Sequence, residues 1–142
     1  MDGNTMPGIR VLIVDDMAQV RQDLRTVLPL AGNAAGLPIE IVGEAVNGQE
    51  AIRRAEALQP DVVLMDLAMP VTDGYAATQA IKDGNPSIRV VALTVLDYPT
   101  AGEKARLAGV DGFIEKGASV AEIIQTIRKT LSGKILSPEN LK

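Results

Sequence analysis

The sequence predicts an α/β fold, a doubly wound five-stranded parallel sheet in the order 2-1-3-4-5 flanked by five helices. Three observations lead there. Four short runs rich in Val, Ile and Leu, and a fifth around Phe113-Ile114, are each too short for a helix and apolar enough for a strand. Stretches with apolar residues at helical spacing lie between them, so strand and helix alternate. Four of the five strands then finish on a polar residue: Asp15-Asp16, Asp66, Thr94 and Lys116. The carboxyl ends of such strands are where open α/β sheets bind their ligands.

Taken in order, residues 1–8 read as a disordered N-terminal extension. Ile9–Val14 is the first strand. The helix after it is expected to reach about Leu30, with Asp16 or a neighbour as cap and Met17, Val20, Leu24, Val27 and Leu28 on its apolar stripe. Pro29 and Gly32 are expected to end it, and Asn33–Leu37 to form a loop of small residues. Ile39–Ala45 is the second strand, whose imperfect alternation suits an edge. Asn47 and Glu50 begin a helix in the manner of a capping box, carrying Ala51, Ile52, Ala55 and Leu58 and stopping before Pro60.

The central strand is Asp61–Met65, where Val62–Met65 run without a polar break into Asp66. Pro70 and Asp73-Gly74 follow, so a loop precedes the helix expected from about Asp73 to Lys82, with Ala77 and Ile81 facing inward. After the turn at Gly84-Asn85-Pro86 comes Ile88–Leu93, ending at Thr94. Asp97–Ala108 forms a weak helix, with Pro99 near its start and Gly102 inside; the glycine costs about 1 kcal/mol relative to alanine. Asp111–Glu115 is the fifth strand, ending at Lys116. Ser119 and Glu122 cap the last helix, whose stripe is Val120, Ile123, Ile124, Ile127 and Leu131.

Composition excludes several function classes. A chain of 142 residues, 46% hydrophobic and 23% charged, is long enough for one domain with a real core. A net charge of −4 opposes gripping nucleic-acid phosphates, and Tyr75, Tyr98 and Phe113 are too few to make a platform for bases. The absence of Cys removes disulfides and most zinc sites, and the absence of His excludes a Ser-His-Asp triad. There is no membrane-spanning run, and Met1–Gly8 lacks the charge and apolar core of a signal peptide. The chain is expected to be cytoplasmic.

The strand ends select a chemistry. Three crowded carboxylates, Asp15, Asp16 and Asp66, repel one another and call for a cation; oxygen-only ligands favour a hard ion such as Mg²⁺. With the ion and Lys116 the site comes near neutrality, which suits an incoming phosphoryl group. Asp66 is then the expected nucleophile, Lys116 neutralises phosphoryl oxygens and Thr94 donates a hydrogen bond to one of them. Taken singly, Lys116 is a surface lysine, Thr94 a strand-end hydroxyl and Asp15-Asp16 a helix cap. It is their coincidence at matching strand ends that argues for a site.

In this set of residues the chain resembles the receiver domains of two-component response regulators, with the flavodoxin-like fold of the CheY type, over about residues 9–132. Asp15-Asp16 match that family's acidic metal-binding pair, Asp66 its phosphoacceptor, and Met69-Pro70-Val71-Thr72-Asp73-Gly74 the loop after the acceptor. Thr94 matches the switch hydroxyl, Lys116 the family lysine and Phe113 the switch aromatic. The resemblance implies Mg²⁺ (or Mn²⁺) held by Asp15, Asp16, Asp66 and the backbone carbonyl of Ala68. It implies a histidine kinase or phosphotransfer protein as phosphoryl source, and a homodimer formed on activation. It also implies a switch rather than a conventional enzyme, with Mg²⁺-dependent self-phosphorylation from a phosphodonor and slow autodephosphorylation.

Three departures stand out. Gly117 follows Lys116 where many receivers have proline after a cis peptide, and a cis bond to a non-proline residue costs roughly 3 kcal/mol. The connection Pro29–Pro38 is several residues longer than usual. Ile135-Leu136-Ser137-Pro138-Glu139 resembles the linker of NarL/LuxR-type regulators, which makes 133–142 the expected start of a connection to a helix-turn-helix domain that would carry any DNA binding.

Activation is expected to draw Thr94 toward the phosphoryl group, let Phe113 fill the vacated space and remodel the face formed by the fourth helix, fifth strand and fifth helix. Ala68 and Leu96 flank the path of a hydrolytic water and cannot hydrogen-bond it, so the phosphorylated state is expected to be long-lived. Two alternatives remain: a degenerate receiver acting as a constitutive protein-binding module, which the complete acidic set opposes, and a flavodoxin-like or hydrolytic enzyme, for which no phosphate-cradling glycine loop is visible.

Overall fold

A parallel strand buried on both faces has to be apolar along its whole length, and Val62–Met65, the middle strand of the sheet, is; its two neighbours admit charge only near their starts, at Arg10 and Arg89. The protein is described, as a computed structural model, over residues 8–69, 74–94 and 100–133, with the backbone alone at 100–102. Five strands, β1 (Ile9–Val14), β2 (Ile39–Ala45), β3 (Val62–Met65), β4 (Arg89–Thr94) and β5 (Gly112–Glu115), alternate with five helices. These are α1 (Ala18–Ala34), α2 (Gly48–Leu58), α3 (Gly74–Gly84), α4 (Thr100–Ala108) and α5 (Val120–Leu131). Every strand pair is parallel and the order is β2-β1-β3-β4-β5, as the alternation predicts.

Side-chain alternation along the strands sorts the core into two layers. Leu12, Val14, Val63, Met65 and Phe113 face α2, α3 and α4, where they meet Ala51, Ala77, Ile81 and Ala105. Val11, Ile13, Leu64 and Ile114 face α1 and α5, where they meet Leu24, Leu28, Ile123 and Ile127. The predicted caps of the second and fifth helices are present. Asn47 accepts from Glu50 N–H at 2.8 Å, and Ser119 accepts from Glu122 N–H at 3.2 Å.

The first helix differs from expectation. Pro29 lies inside α1, and Asn33 and Ala34 are helical rather than part of a loop. An interior proline forfeits one backbone bond, at about 3 kcal/mol or more. Two features offset that loss. Leu28 and Gly32 stay in register on the buried stripe, and Gly32 O accepts from Leu37 N–H at 2.8 Å, tying the last turn to the approach of β2. The long connection is thus mostly helix. Met17 and Val27 leave the stripe, at 55% and 38% exposure. Asp16 does not cap α1; Met17 is the capping residue and makes no side-chain cap bond.

Smaller differences have local causes. The imperfect alternation of β2 comes from a bulge, since Val11 pairs with Ile41 but Leu12 with Gly43, leaving Val42 out of register at the sheet edge. β4 ends at Thr94 as expected but begins at Arg89 rather than Ile88, and α3 continues to Gly84. Asp61 and Asp111 lie just before their strands. The expected loop residues 70–73, the Pro99 helix start, Tyr98, Leu96, residues 1–7 of the expected extension 1–8 and residues 134–142 of the expected linker 133–142 lie outside the described residues. No helix among the described residues is long and apolar enough to cross a membrane.

Candidate functional site

The site is built by extending the sheet one rung past its strands. Asp15 N–H donates to Ala45 O at 3.1 Å, Asp66 N–H to Val14 O at 3.0 Å, and Lys116 N–H to Thr94 O at 2.8 Å. Each bond continues the parallel ladder at the carboxyl edge. The residues predicted to carry the chemistry are therefore fixed by backbone pairing with the neighbouring strand, and the order 2-1-3-4-5 places the acids of β1 beside the acid of β3.

Asp15, Asp16 and Asp66 each offer a carboxylate oxygen, and these oxygens lie within 4.8 Å of one another. Asp15 and Asp66 are buried, whereas Asp16 is exposed. Lys116 Nζ lies 2.8 Å from Asp15 Oδ2 and 3.2 Å from Asp66 Oδ2, bridging the two buried acids. Their other oxygens accept backbone N–H groups: Asp15 Oδ1 from Met17 at 2.8 Å and Asp66 Oδ1 from Ala68 at 3.0 Å. Among the described residues the Asp16 carboxylate has no such partner.

Burial raises the pKa of Asp66 above the ordinary value of 3.8; the Ala68 N–H and the Lys116 charge pull it back, and Asp15 adds to the rise. The Lys116 ammonium is also desolvated, which lowers its pKa. Its bond to Asp15 and the charges of Asp66 and Asp15 more than reverse that, and its pKa is raised above 10.5. Lys116 is therefore firmly cationic at neutral pH, facing a carboxylate whose charge is costly to keep.

Thr94 is fully buried at the end of β4. Its side chain shares a sheet face with Ala92, two residues earlier, and Ala92 pairs in register with Phe113. Phe113 is 3% exposed in the layer beneath α4. Gly117 has φ +95°, a conformation closed to proline, whose ring fixes φ near −65°. The chain here leaves Lys116 by a route that a proline at this position could not follow.

Two residues that sequence reasoning did not single out reach the site. Arg21 donates from Nη1 to Asp15 O at 2.8 Å and from Nε to Glu44 Oε1 at 3.0 Å. Arg25 holds the other Glu44 oxygen at 2.9 Å. Nothing in the sequence marks them, because a lone arginine on a helix and a glutamate in an edge strand read as solvated surface.

Comparison with known proteins gives a consistent answer. The family model described as the response regulator receiver domain matches residues 11–128. The chain is 39% identical over 132 residues to the response regulator GacA of Pseudomonas viridiflava, covering 92% of this chain and 59% of the relative. It is 40% identical over 134 residues to the response regulator protein VraR of Staphylococcus aureus, covering 94% and 62%. It thus spans about three fifths of these curated relatives. Among solved structures, it superimposes on a two-component response regulator of the LuxR family from Aurantimonas sp. SI85-9A1 with a TM-score of 0.80, at 31% identity, covering 94% of this chain and 93% of that one. A DNA-binding response regulator of the LuxR family from Staphylococcus aureus gives 0.77 at 29% identity, covering 86% and 98%.

Proposed function

The chain belongs to the response regulator receiver domain family, and from that premise we propose that it is a phosphorylation-dependent switch whose acceptor is Asp66. The observation that carries this reading is the placement of Asp66 between an acidic pair and a bridging lysine at one sheet edge. The donor is a histidine kinase or phosphotransfer protein, as membership of this family implies, and the lack of histidine in this chain agrees with a donor on another molecule.

An Asp66 carboxylate oxygen attacks the phosphorus in line. The bond from phosphorus to the donor imidazole nitrogen breaks, and that nitrogen keeps the electron pair. Lys116, already within 3.2 Å of Asp66 Oδ2, turns its ammonium to the arriving phosphoryl oxygens. Thr94 donates its hydroxyl to one of them, and Phe113 takes up the space so released. The donor set suits a hard divalent ion: three carboxylates whose oxygens lie within 4.8 Å can be drawn onto one centre with bonds of about 2.1 Å. Asp15, Asp16, Asp66 and the Ala68 carbonyl would hold Mg²⁺ or Mn²⁺, which supplies positive charge to the phosphoryl oxygens. Residues 9–132 act as the receiver. The likeness to a DNA-binding LuxR-family regulator supports an output through a DNA-binding domain joined by the segment that begins at residue 133.

Incubation with Mg²⁺ and a small acyl phosphate, followed by intact mass measurement, tests the reading. One retained phosphoryl group, absent in Asp66→Asn, is the expected result. Undiminished labelling of Asp66→Asn would overturn the assignment of the acceptor, and no labelling of the parent would favour a constitutive binding module.

A further inference from the structure

Of the three acids at the candidate site, two are aimed by direct contacts and one is not. Asp15 and Asp66 each have one carboxylate oxygen on a backbone N–H and the other on Lys116. Asp16 is exposed and, among the described residues, its carboxylate has no protein partner. Among the described residues its direction is set by its backbone, and so by the peptide plane that joins it to Asp15.

That plane is gripped from one side. The carbonyl of the Asp15–Asp16 peptide is Asp15 O, and Arg21 Nη1 donates to it at 2.8 Å. Arg21 can reach because helical side chains lean toward the N-terminus, and it sits one turn into α1, where its own N–H bonds Met17 O at 3.2 Å. The guanidinium is not free to turn. Its Nε is held at 3.0 Å by Glu44, whose second oxygen is held by Arg25 at 2.9 Å. Glu44 in turn sits on β2 opposite Ile13, so the brace is anchored in the sheet. Only 16% of the Arg21 side chain is exposed, and a partly buried arginine held at two of its nitrogens is better fixed than a surface one.

We propose that Arg21 is a positioning residue for divalent-cation binding, acting through the Asp15–Asp16 peptide to aim the otherwise unsupported Asp16 carboxylate, with Glu44 as its anchor. This inference rests on the reading of the three acids as a cation site. An arginine contributes no ligand and adds repulsion to a nearby cation, so its role is geometric. Supports of this outer kind typically change metal affinity by about tenfold or more when removed.

The test measures Mn²⁺ affinity by the electron paramagnetic resonance signal of free Mn²⁺, with no phosphodonor present. Arg21→Met, which keeps the aliphatic stem, is expected to weaken binding about tenfold. Glu44→Gln, which loosens the brace without removing it, is expected to weaken it by a smaller factor and serves if Arg21→Met folds poorly. The decisive arm is a double-mutant cycle. In an Asp16→Asn background, Arg21→Met should cause no further loss of affinity, because its effect passes through Asp16. A purely structural arginine would instead lower thermal stability while leaving Mn²⁺ affinity unchanged, or would weaken binding equally in both backgrounds; either result overturns the proposal. If the parent chain binds no Mn²⁺, the cation-site reading falls and the role of Arg21 falls with it. Parent binding with an unaffected Arg21→Met sinks the second alone.

Discussion

Replacing Asp66 with asparagine should stabilise the metal-free protein, although the substitution removes a partner of the half-buried Lys116. The charge balance gives the reason. At an effective dielectric of about 20, the Lys116 ammonium at 3.2 Å attracts the Asp66 carboxylate by about 5 kcal/mol. The nearby oxygen of Asp15, within 4.8 Å, opposes it by about 3.5 kcal/mol on the same scale, and exposed Asp16 adds a smaller, solvent-screened repulsion. Attraction and repulsion nearly cancel, and burial of the charge decides the sign, in agreement with a pKa raised first by burial. Asparagine keeps a side-chain oxygen for the Ala68 N–H, and Lys116 keeps Asp15 at 2.8 Å. A gain of about 1–3 kcal/mol follows.

The pH dependence gives that gain a signature. A carboxyl whose folded pKa is raised binds its proton more readily when folded. Its contribution to stability is complete below the unfolded value of 3.8 and is lost as pH rises through the higher folded value. The advantage of Asp66→Asn over the parent should therefore be small below 3.8 and grow above it. Denaturant titrations in chelator-treated buffer at several pH values provide the measurement. Adding Mg²⁺ should raise the melting temperature of the parent more than that of the variant. A variant clearly less stable than the parent at neutral pH without metal, or a difference that does not change with pH, would refute the crowded-carboxylate argument.

Three further outcomes are expected. In Gly74→Ala the new Cβ would sit 2.5 Å from Leu67 Cα and against the carbonyl of Asp66, so thermal unfolding should show a loss of about 1–3 kcal/mol and phosphoryl labelling should slow. Thr78→Val should raise stability by about 1 kcal/mol in denaturant titrations, because the Thr78 hydroxyl is fully buried and has no hydrogen-bond partner among the described residues. Leu96→Glu combined with Ala68→Asn should speed loss of the phosphoryl group about tenfold, or about 1.4 kcal/mol of barrier, when decay is followed after donor removal with Mg²⁺ present; Ala68 is exposed beside Asp66, as a residue flanking the path of water must be.

The fold was legible wherever burial dictated residue type. Val62–Met65 had to be a two-faced strand, and the Asn47/Glu50 and Ser119/Glu122 signatures located two helix starts because a cap is a local hydrogen bond. What could not be read was decided by partners distant in sequence. Pro29 is a stop signal taken alone, yet the helix survives it because Gly32 is tied to Leu37 at the approach to β2. Met17 carries an apolar side chain at the right spacing, but it caps the helix at the site rim and stays in water. The ends of four strands announced the site because a polar residue after a buried run is conspicuous. The Arg21–Glu44–Arg25 chain was invisible because its contacts span 19 and 23 positions between residue types that commonly face solvent.

The opposite edge of the sheet bears on how a switch at Thr94 and Phe113 would be transmitted. Lys82 donates to Pro86 O, Ile88 O and Asp111 Oδ2 at 3.0, 2.9 and 2.8 Å, and the same Asp111 oxygen accepts Val90 N–H at 2.8 Å. This clasp joins α3 to the starts of β4 and β5, and removing one member of such a partly buried pair leaves the other charge uncompensated. The lower ends of β4 and β5 are therefore pinned, while their upper ends are tied to each other by Lys116 N–H on Thr94 O. A rearrangement at Thr94 then has little freedom to slide the strands, and the yielding element has to lie against them. Among the helices packed on that layer, α4 is short and carries Gly102. α4 offers Ala105 to the core and is braced to α3 by Lys104 over the Tyr75 ring at 4.8 Å, a contact of the kind worth about 0.5–1 kcal/mol at an exposed site. That contact is small against what the differential binding of one phosphoryl group can supply, and the partly buried Lys82–Asp111 pair beneath is costlier to break. The output face should accordingly move by displacement of α4 over an unmoved sheet.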